Sequence, residues 1–413
     1  MTQPTILISG AGVAGPALAH WLADDGYRVM VVELAPGIRP GGQTVDLRGA
    51  GRDVVQRMGL LEEMVDRSLP QRGIAWVRAD GSRRAEMPVE AFDGNGVVSK
   101  LEILRGDLVD ALYQHTKDRV DYRFGTGITA LEQGDDGVDV TLSDGTRLRA
   151  DLVVGADGPH SAVRRLTFGP EEQFVKLLGG YNAWFTAPDT AGLDGWYLMY
   201  QAPGGLNASM RPSHVPAIAK AGLAFRSEPL TYDRRDVDGQ RKLLADRFAA
   251  AGWHAGELVK AAAQADDFYF DAFLQVHMES WSRGRVTLCG DAGYCASPLS
   301  GMGTSLALVG AYVLGGELGA AEGEIATAQG GLTTERVTDA LARYGKIMRP
   351  YVDKCQALPA GLDGYAPVKK SDIAITAIVM NWMQRWPFRS YAAKKFFTTA
   401  DSIELPDYAR VSR

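Results

Sequence analysis

The sequence predicts an α/β fold with a parallel-sheet domain assembled from separated segments, a mixed β-sheet domain and C-terminal helices. Three observations predict it: the chain opens as strand, helix, strand; apolar runs ending in Gly-Asp or Asp-Gly return near residues 157 and 290; and the stretch from about 179 to 273 is strand-rich and aromatic. The predicted boundaries are 1–72, 100–178 and 274–350 for the first domain, 73–99 and 179–273 for the second, and 351–413 for the helices.

The first element is an apolar strand that ends at Ser9 and runs into a Gly-rich turn and a helix of about 13–25. Backbone N–H groups and the positive helix end meet at this turn, which suits a pyrophosphate. The next strand, 29–32, ends in Glu33, whose carboxylate can accept hydrogen bonds from ribose hydroxyls. The pattern predicts a Rossmann-like site for an adenine dinucleotide, formed by Gly10, Gly12, Val13, Ala14, Gly15 and Glu33.

The next elements follow from turn signals and apolar runs. A long loop is predicted over 36–50 and a surface connection over 320–333. Strands are predicted at 74–77, 97–98, 138–142, 147–150 and 152–156, and helices at 52–58, 105–116, 334–349 and 371–386. In the strand-rich middle region, we expect most aromatic side chains, including Trp184 and Tyr197, to serve packing first.

A second motif lies at 287–304, where a buried strand ends in Gly290 and Asp291 and a loop with Pro298 leads to a helix opening with Gly301-Met302-Gly303. A helix N-terminus stabilises negative charge by about 0.3–1 kcal/mol, or about 2 kcal/mol when partly buried. A reduced flavin gains negative charge on its N1/C2 carbonyl side. The motif therefore favours FAD over nicotinamide as the bound cofactor.

A third motif, Asp157-Gly158, also follows a buried strand. Together the three motifs resemble those of the group A flavoprotein monooxygenases, the family of para-hydroxybenzoate hydroxylase and the tetracycline-inactivating monooxygenases. The resemblance implies an FAD-binding domain of the glutathione-reductase type. It also implies that Asp157 contacts FAD and the visiting nicotinamide, and that Gly290 and Asp291 contact the flavin ribityl chain, with Pro298, Gly301, Met302 and Gly303 beside the flavin.

A finer resemblance is to the tetracycline-inactivating branch, on residues 41–47, 49–61 and 104–108. It implies that Asp46 meets FAD, that Arg39 meets NADPH and that Arg105 lies near the flavin pyrophosphate and ribityl chain. For Arg39 a surface loop cation is an equal alternative. The chain departs from the family pattern at four positions: Gly293, Tyr294, Ser305 and Gly310.

The resemblance predicts an FAD-dependent monooxygenase that uses NADPH or NADH and O₂ to hydroxylate a phenolic or polycyclic aromatic molecule through a C4a-hydroperoxyflavin. Such a reaction belongs in secondary metabolism or antibiotic modification. Two alternatives stay open: a flavin-dependent reductase or dehydrogenase of a hydrophobic substrate, and a ligand-sequestering flavoprotein without catalysis. No catalytic acid or base is assigned. We expect His160 and Tyr294 to have hydrogen-bonding or packing roles, and Asp157 contacts the cofactor or caps a turn.

Composition limits the partners of this 413-residue chain, whose hydrophobic content of 46% is enough for a large core. Its net charge of −6 provides no basic surface for nucleic acid. The three cysteines fit no disulfide or metal pattern, and the first strand begins too early for a signal sequence, so we expect a cytoplasmic protein without metal.

The segment 373–383, flanked by Lys and Arg, is expected to pack on the body of the protein. A membrane-surface helix is the alternative, and membrane association is not expected. Oligomeric state stays open.

Overall fold

The computed structural model describes residues 3–39, 41–94, 96–323, 332–358, 361–385 and 399–408. Their strands are β1 Thr5–Ser9, β2 Arg28–Glu33, β3 Thr44–Asp46, β4 Gly73–Val77, β5 Arg83–Pro88, β6 Glu102–Leu104, β7 Asp121–Phe124, β8 Ile128–Gln133, β9 Val138–Leu142, β10 Arg147–Ala150, β11 Leu152–Gly155, β12 Val175–Pro188, β13 Trp196–Ala202, β14 Leu206–Pro212, β15 Ile218–Arg226, β16 Tyr269–Val276, β17 Ser282–Arg283 and β18 Val286–Leu288. Their helices are α1 Ala14–Asp24, α2 Gly49–Arg57, α3 Leu61–Asp66, α4 Arg105–Thr116, α5 Ala162–Phe168, α6 Val237–Phe248, α7 Ala255–Gln264, α8 Asp291–Tyr294, α9 Gly303–Gly323, α10 Thr334–Gln356, α11 Gly361–Tyr365 and α12 Lys370–Met383.

The first sheet has the strand order β17-β18-β11-β1-β2-β7, and all its neighbours are parallel except β17 and β18. Its central strands β1 and β11 are apolar and almost entirely buried, as expected for a parallel sheet covered on both faces. Helix α1 packs against α4 and α9, and α9 packs against α10. Because the strands come from three distant parts of the chain, the predicted assembly from separated segments is confirmed.

The second sheet has the order β16-β12-β15-β14-β13-β4-β5, with the parallel pair β13 and β4 among antiparallel neighbours. It is therefore mixed, as predicted. Helices α6 and α7 cover one face, where Leu244, Phe248 and Leu258 pack against buried strand residues such as Phe185 and Leu223. Neither helix was predicted, because the whole region from 179 to 273 was expected to be strand-rich.

The predicted elements need correction in several places. The loop predicted over 36–50 contains β3, which pairs with β6, and α2 begins at Gly49 rather than at residue 52. The predicted strand at 97–98 forms bends instead, since two apolar residues without a partner strand make no ladder. Helix α10 continues through Pro350 to Gln356. Helix α9 extends into the predicted connection 320–333, of which residues 324–331 lie outside the described residues, as does residue 386 of the last predicted helix.

Helix α12 lies on the outer part of the second sheet, against β5 and β13. Its buried residues are Ile373 and Ala377, whereas Ile375 and Ile378 are each 57% exposed. One face of the helix therefore packs on the body of the protein, as expected. Within the described ranges, no helix combines the length and the apolar character that a membrane crossing requires.

Candidate cofactor and substrate site

Two positions in the Gly-rich turn between β1 and α1 have no space for a side chain, and one of them, Gly10, also has a backbone conformation that favours glycine. Gly10 has a φ of +106°, and its N–H donates to the Val32 carbonyl at 2.7 Å. A Cβ atom at Gly10 would lie 2.5 Å from the Ala156 carbonyl oxygen, and a Cβ at Gly15 would overlap the Gly10 carbonyl. The turn is thus wedged between β2 and β11, and the first turn of α1, with Val13 and Ala14, lies directly behind it.

Glu33 fixes this turn from the end of β2. Its carboxylate accepts the Ala11 N–H at 2.8 Å and the Ala35 N–H at 2.8 Å. An ionised carboxylate has about four acceptor positions, so both oxygens retain capacity for ribose hydroxyls. The predicted ribose contact therefore fits the geometry.

Arg105 provides a cation at the same turn. It is the first residue of α4 and is partly buried, yet its guanidinium makes no hydrogen bond within the described residues. A Cβ at Gly12 would lie 4.0 Å from its Nη1 atom. Burial and the nearby Arg39 lower the pKa of Arg105, while Tyr269, Asp291 and Glu33 raise it. An unpaired cation beside a Gly-rich turn is what a pyrophosphate requires, so the residues present fit FAD.

Asp291, which belongs to the second motif, lies near the Gly-rich turn and Arg105. A Cβ at Gly290 would lie 3.0 Å from the Ala14 side chain, so the end of β18 touches the start of α1. A Cβ at Gly303, the first residue of α9, would lie 4.0 Å from Oδ1 of Asp291. Burial raises the pKa of Asp291, and Arg105 opposes that shift. The structure therefore brings Asp291, the start of α9 and Arg105 to one place.

The loop before α9 is a 3-10 turn, Pro298–Ser300, followed by Gly301 in the left-handed conformation with a φ of +65°. Pro298 and Gly301 are exposed, whereas the Met302 side chain is buried in the core. The Met302 N–H donates to the Ser300 hydroxyl at 3.1 Å. The Met302 side chain therefore serves packing. Any contact of Met302 with the flavin would come from its backbone.

The Asp157 carboxylate is committed to its own turn. It accepts the Ser161 hydroxyl, the Ala162 N–H at 2.8 Å and the Val163 N–H at 3.2 Å, and so caps the start of α5. A Cβ at Gly10 would lie 2.9 Å from the Asp157 Cα. Asp157 therefore holds the Asp-Gly turn next to the Gly-rich turn, and its direct contact with FAD stays a prediction.

Within the described residues, Arg39 and Asp46 make no hydrogen bond to the residues of this group. Arg39 is exposed and reaches Arg105 only through its charge. Asp46 pairs with Arg48 at 2.6 Å and accepts the Ser99 N–H at 3.1 Å. Their roles toward NADPH and FAD remain predictions.

The second sheet turns a largely polar face away from α6 and α7. Its strand register aligns side chains in rows, because directly opposite residues share a face. The rows are Tyr197, Arg211, Lys220 and Thr186; Met199, Ser209, Gly222, Trp184 and Tyr269; and Gln201, Asn207, Ala224, Asn182 and Asp271. Sequence reasoning missed this face, although the alternation Asn207-Ala208-Ser209-Met210-Arg211 in β14 was the available signal.

Arg211 and Lys220 bring two positive charges to this face. Arg211 pairs with the fully buried Glu102 at 2.5 Å, donates to the Thr44 hydroxyl at 2.6 Å and lies 3.9 Å from the centre of the Tyr197 ring. Burial raises the pKa of Glu102 to about 7, against the opposing effect of Arg211. These contacts join the sheet to β3 and β6, near the predicted FAD loop.

Lys220 is clamped beside that loop as well. It lies 3.1 Å from Asp267 and donates to the Thr186 hydroxyl at 2.6 Å. A Cβ at Gly41 would lie 3.0 Å from its Nζ atom. The polar face therefore lies next to the 41–47 loop, and the region bounded by this face, the loop and Arg105 is called the cleft below.

Tyr294 is a structural residue, as expected. It is 1% exposed, and its hydroxyl lies 2.8 Å from the Tyr344 hydroxyl and 3.5 Å from the Cys289 sulfur. A Cβ at Gly310 would overlap the Tyr294 hydroxyl. Two departures from the family pattern, Tyr294 and Gly310, therefore form one packing unit.

Comparison with known protein sequences supports the cofactor assignment. A family model described as an FAD binding domain matches residues 3–343. A flavin-dependent monooxygenase of Legionella longbeachae is 40% identical over 352 residues, which cover 85% of this chain and 86% of the relative. The FAD-dependent monooxygenase asL4 of Sarocladium schorii is 34% identical over 399 residues, which cover 93% of this chain and 92% of the relative.

Solved structures agree. Tetracycline destructase Tet(51) matches with a TM-score of 0.80 and 32% identity, covering 99% of this chain and all of the other. Klebsiella pneumoniae HpxO, complexed with FAD and uric acid, matches with a TM-score of 0.72 at 21% identity, covering 98% of each chain, and so supports the fold alone. The resemblance to the group A monooxygenases and their tetracycline-inactivating branch is confirmed. The chain belongs to the FAD binding domain family and is an FAD-dependent monooxygenase.

Proposed function

We propose that this enzyme uses NADPH or NADH and O₂ to hydroxylate a phenolic or polycyclic aromatic small molecule, in secondary metabolism or antibiotic modification. The observation that carries the proposal is the Arg105 guanidinium at the Gly-rich turn, which has no hydrogen-bonding partner within the described residues. The segment 41–42 lies between Arg105 and the polar face of the second sheet: a Cβ at Gly42 would lie 3.8 Å from the Arg105 side chain, and a Cβ at Gly41 would lie 3.0 Å from Nζ of Lys220. The tetracycline destructases among the similar solved structures support a polycyclic substrate by their name.

Different residues would hold different parts of FAD. Gly10, Gly12 and Arg105 would hold the pyrophosphate, Glu33 the ribose, and Asp291 the ribityl chain. Bound FAD would supply electron transfer from the nicotinamide to O₂ and delivery of one oxygen atom to the substrate. The start of α9 would stabilise negative charge on the flavin.

The polar sheet face would hold the substrate. Trp184 is half-buried over Gly222, which has no side chain to displace it, and offers a flat surface to a planar ring. Arg211 and Lys220 would attract the phenolate or enolate oxygens of such a ring.

The remaining parts of the proposal concern NAD(P)H, the domains and the compartment. Arg39 is exposed and could meet a visiting NAD(P)H. The division of the chain at 73–99 and 179–273 for substrate binding is supported by β4 and β5 joining the sheet of β12 to β16. The three cysteines are free and buried, which suits a reducing cytoplasm where NAD(P)H is available.

The experiment is oxidation of NADPH and of NADH by the FAD-loaded enzyme against a panel of phenolic and polycyclic aromatic compounds, under ¹⁸O₂. We expect oxidation that one compound stimulates, and a product that carries one oxygen atom from O₂. Reduced product without label would contradict hydroxylation and favour a reductase. Tight binding of a panel compound without any NAD(P)H oxidation would favour sequestration.

A further inference from the structure

His160 connects the Asp-Gly turn to the second sheet. Its Nδ1 lies 3.0 Å from Oε1 of Glu171, and its Nε2 lies 3.0 Å from Oδ2 of Asp271. The three residues come from the turn before α5, from the segment before β12 and from β16. Arg234 also reaches Glu171, at 3.0 Å. One imidazole ring thus ties the two parts of the protein together at the cleft.

The Asp271 carboxylate connects His160 to Tyr269. It is 6% exposed and accepts three donors: the ring of His160, the Ala272 N–H at 2.8 Å and the Tyr269 hydroxyl at 2.8 Å. Burial and the Asp271 charge raise the pKa of Tyr269, so its phenol stays protonated and donates to Asp271. The direction of the Tyr269 O–H bond is therefore fixed from behind.

The Tyr269 side chain lies on the polar face of the second sheet. It is 45% exposed, whereas Asn182 and Asp271 on the same face are buried. It pairs across the strands with Trp184. The segment 41–42 lies between its strand and Arg105: a Cβ at Gly41 would lie 3.5 Å from Oδ2 of Asp267, two residues before Tyr269, and a Cβ at Gly42 would lie 3.8 Å from the Arg105 side chain. Because its hydrogen is given to Asp271, its oxygen presents lone pairs to the cleft, where a hydroxyl group of a bound ligand can donate to it.

We infer that Tyr269 is a further cofactor-contacting residue, which accepts a hydrogen bond from a hydroxyl group of bound FAD, and that His160 and Asp271 are positioning residues that hold it there. The inference rests on the proposed placement of FAD at Arg105 and Gly10. It gives His160 an indirect role: the histidine of the Asp-Gly turn acts on the cofactor through Asp271 and Tyr269. A purely structural alternative is that the cluster only fastens the sheet to the turn.

The test is FAD titration of apoprotein, followed by flavin fluorescence, for Tyr269→Phe, His160→Gln and the double variant. A hydrogen bond of ordinary strength predicts a rise in Kd of about three- to tenfold for Tyr269→Phe. His160→Gln should give a similar rise, and the double variant no more than either single change, since both remove the same contact. The matched control is Tyr200→Phe, because Tyr200 lies on the opposite face of the same sheet and should leave Kd unchanged.

Three results would overturn the inference. The first is an unchanged Kd in Tyr269→Phe, and the second is a rise in Kd in the double variant that equals the product of the two single rises. The third is a His160→Gln variant with a lowered Tm and a wild-type FAD affinity. Failure of the proposed function is distinguishable. The proposed function fails when the wild-type enzyme gives no labelled product, whereas the inference fails in the FAD Kd values of the variants.

Discussion

At the scale of single residues, the glycines of the first turn were predictable because their role is steric. Gly10 and Gly15 have no space for a side chain, and the order of strand, turn and helix in the sequence already required this. Arg105 was predictable only through family resemblance. Its lack of a hydrogen-bonding partner and its position at Gly12 needed the structure, since 93 residues separate Gly12 from Arg105 in the chain.

Replacing Arg105 should weaken FAD binding strongly and leave the apoprotein folded. Charged hydrogen bonds contribute about 1.5–3 kcal/mol each, so Arg105→Gln should raise the FAD Kd at least tenfold, to about a hundredfold. Because the guanidinium has no hydrogen-bonding partner among the described residues, the Tm of the apoprotein should not fall. Arg149→Gln is the control, an exposed arginine on β10 paired with Asp139. A stable Arg105→Gln protein with wild-type FAD affinity would argue against the site.

His160 predicts a pH dependence of stability. Burial alone would lower its pKa, but hydrogen bonds with Asp271 and Glu171 raise the pKa to about 9. Since the folded pKa lies above the unfolded value of about 6.5, the stabilisation is complete below pH 6.5 and is lost as pH rises through about 9. Arg164 and Arg234 also face Glu171, and Tyr269, whose pKa is raised by burial, faces Asp271.

The measurement is the free energy of unfolding of the apoprotein between pH 6 and pH 10. The wild type should lose up to about 3 kcal/mol over this window through His160. His160→Gln should start lower and show a flatter profile. Parallel profiles for the two proteins would refute this assignment of the pH dependence.

At the scale of elements, the sequence predicted the helices and strands that local patterns determine. It did not predict the features that depend on distant partner strands. The bounds of α4, β9 and β10 agree with the sequence prediction, because each has a clear period and a clear start or turn. Strand β3 was missed because its partner β6 lies more than 50 residues away. The polar rows of the second sheet were missed because register across five strands is a tertiary property.

Gly310 in α9 predicts a packing defect with a specific rescue. A methyl group there would overlap the Tyr294 hydroxyl, so Gly310→Ala should destabilise the protein by about 1–3 kcal/mol. Adding Tyr294→Phe removes the hydroxyl and should restore much of the loss. Gly345→Ala in α10 is the control, since a Cβ there meets open space and should stabilise the helix by roughly 0.5–1 kcal/mol. Thermal unfolding of the four proteins checks this, and a neutral Gly310→Ala would contradict it.

Gly222 in β15 predicts an effect on substrate binding alone. A Cβ there would lie 2.6 Å from the Trp184 ring and 2.8 Å from the Ser209 hydroxyl, so Gly222→Ala should displace the ring. We expect the KM for the substrate to rise about three- to tenfold while the FAD Kd stays unchanged, because the contact lies on the sheet side of the cleft. Steady-state kinetics with a fluorescence titration of FAD would separate the two. A changed FAD Kd with an unchanged KM would place Trp184 at the cofactor instead.

At the scale of the whole molecule, the cleft is made by contacts between distant parts of the chain. Arg211 reaches Thr44 and Glu102 across separations of 167 and 109 residues, and His160 reaches Asp271 across 111. No periodicity in one sequence reports such pairs. The sequence could therefore identify the cofactor through its three motifs, while the arrangement of the substrate face had to come from the structure.

The central claim is that the chain holds FAD where the Gly-rich turn, Arg105 and Asp291 meet. The most direct measurement is the flavin content of the purified chain after reconstitution with excess FAD and gel filtration. We expect a yellow protein with about one FAD per chain, and much less FAD in Arg105→Gln at the same concentration. A folded protein that stays colourless under these conditions would contradict it.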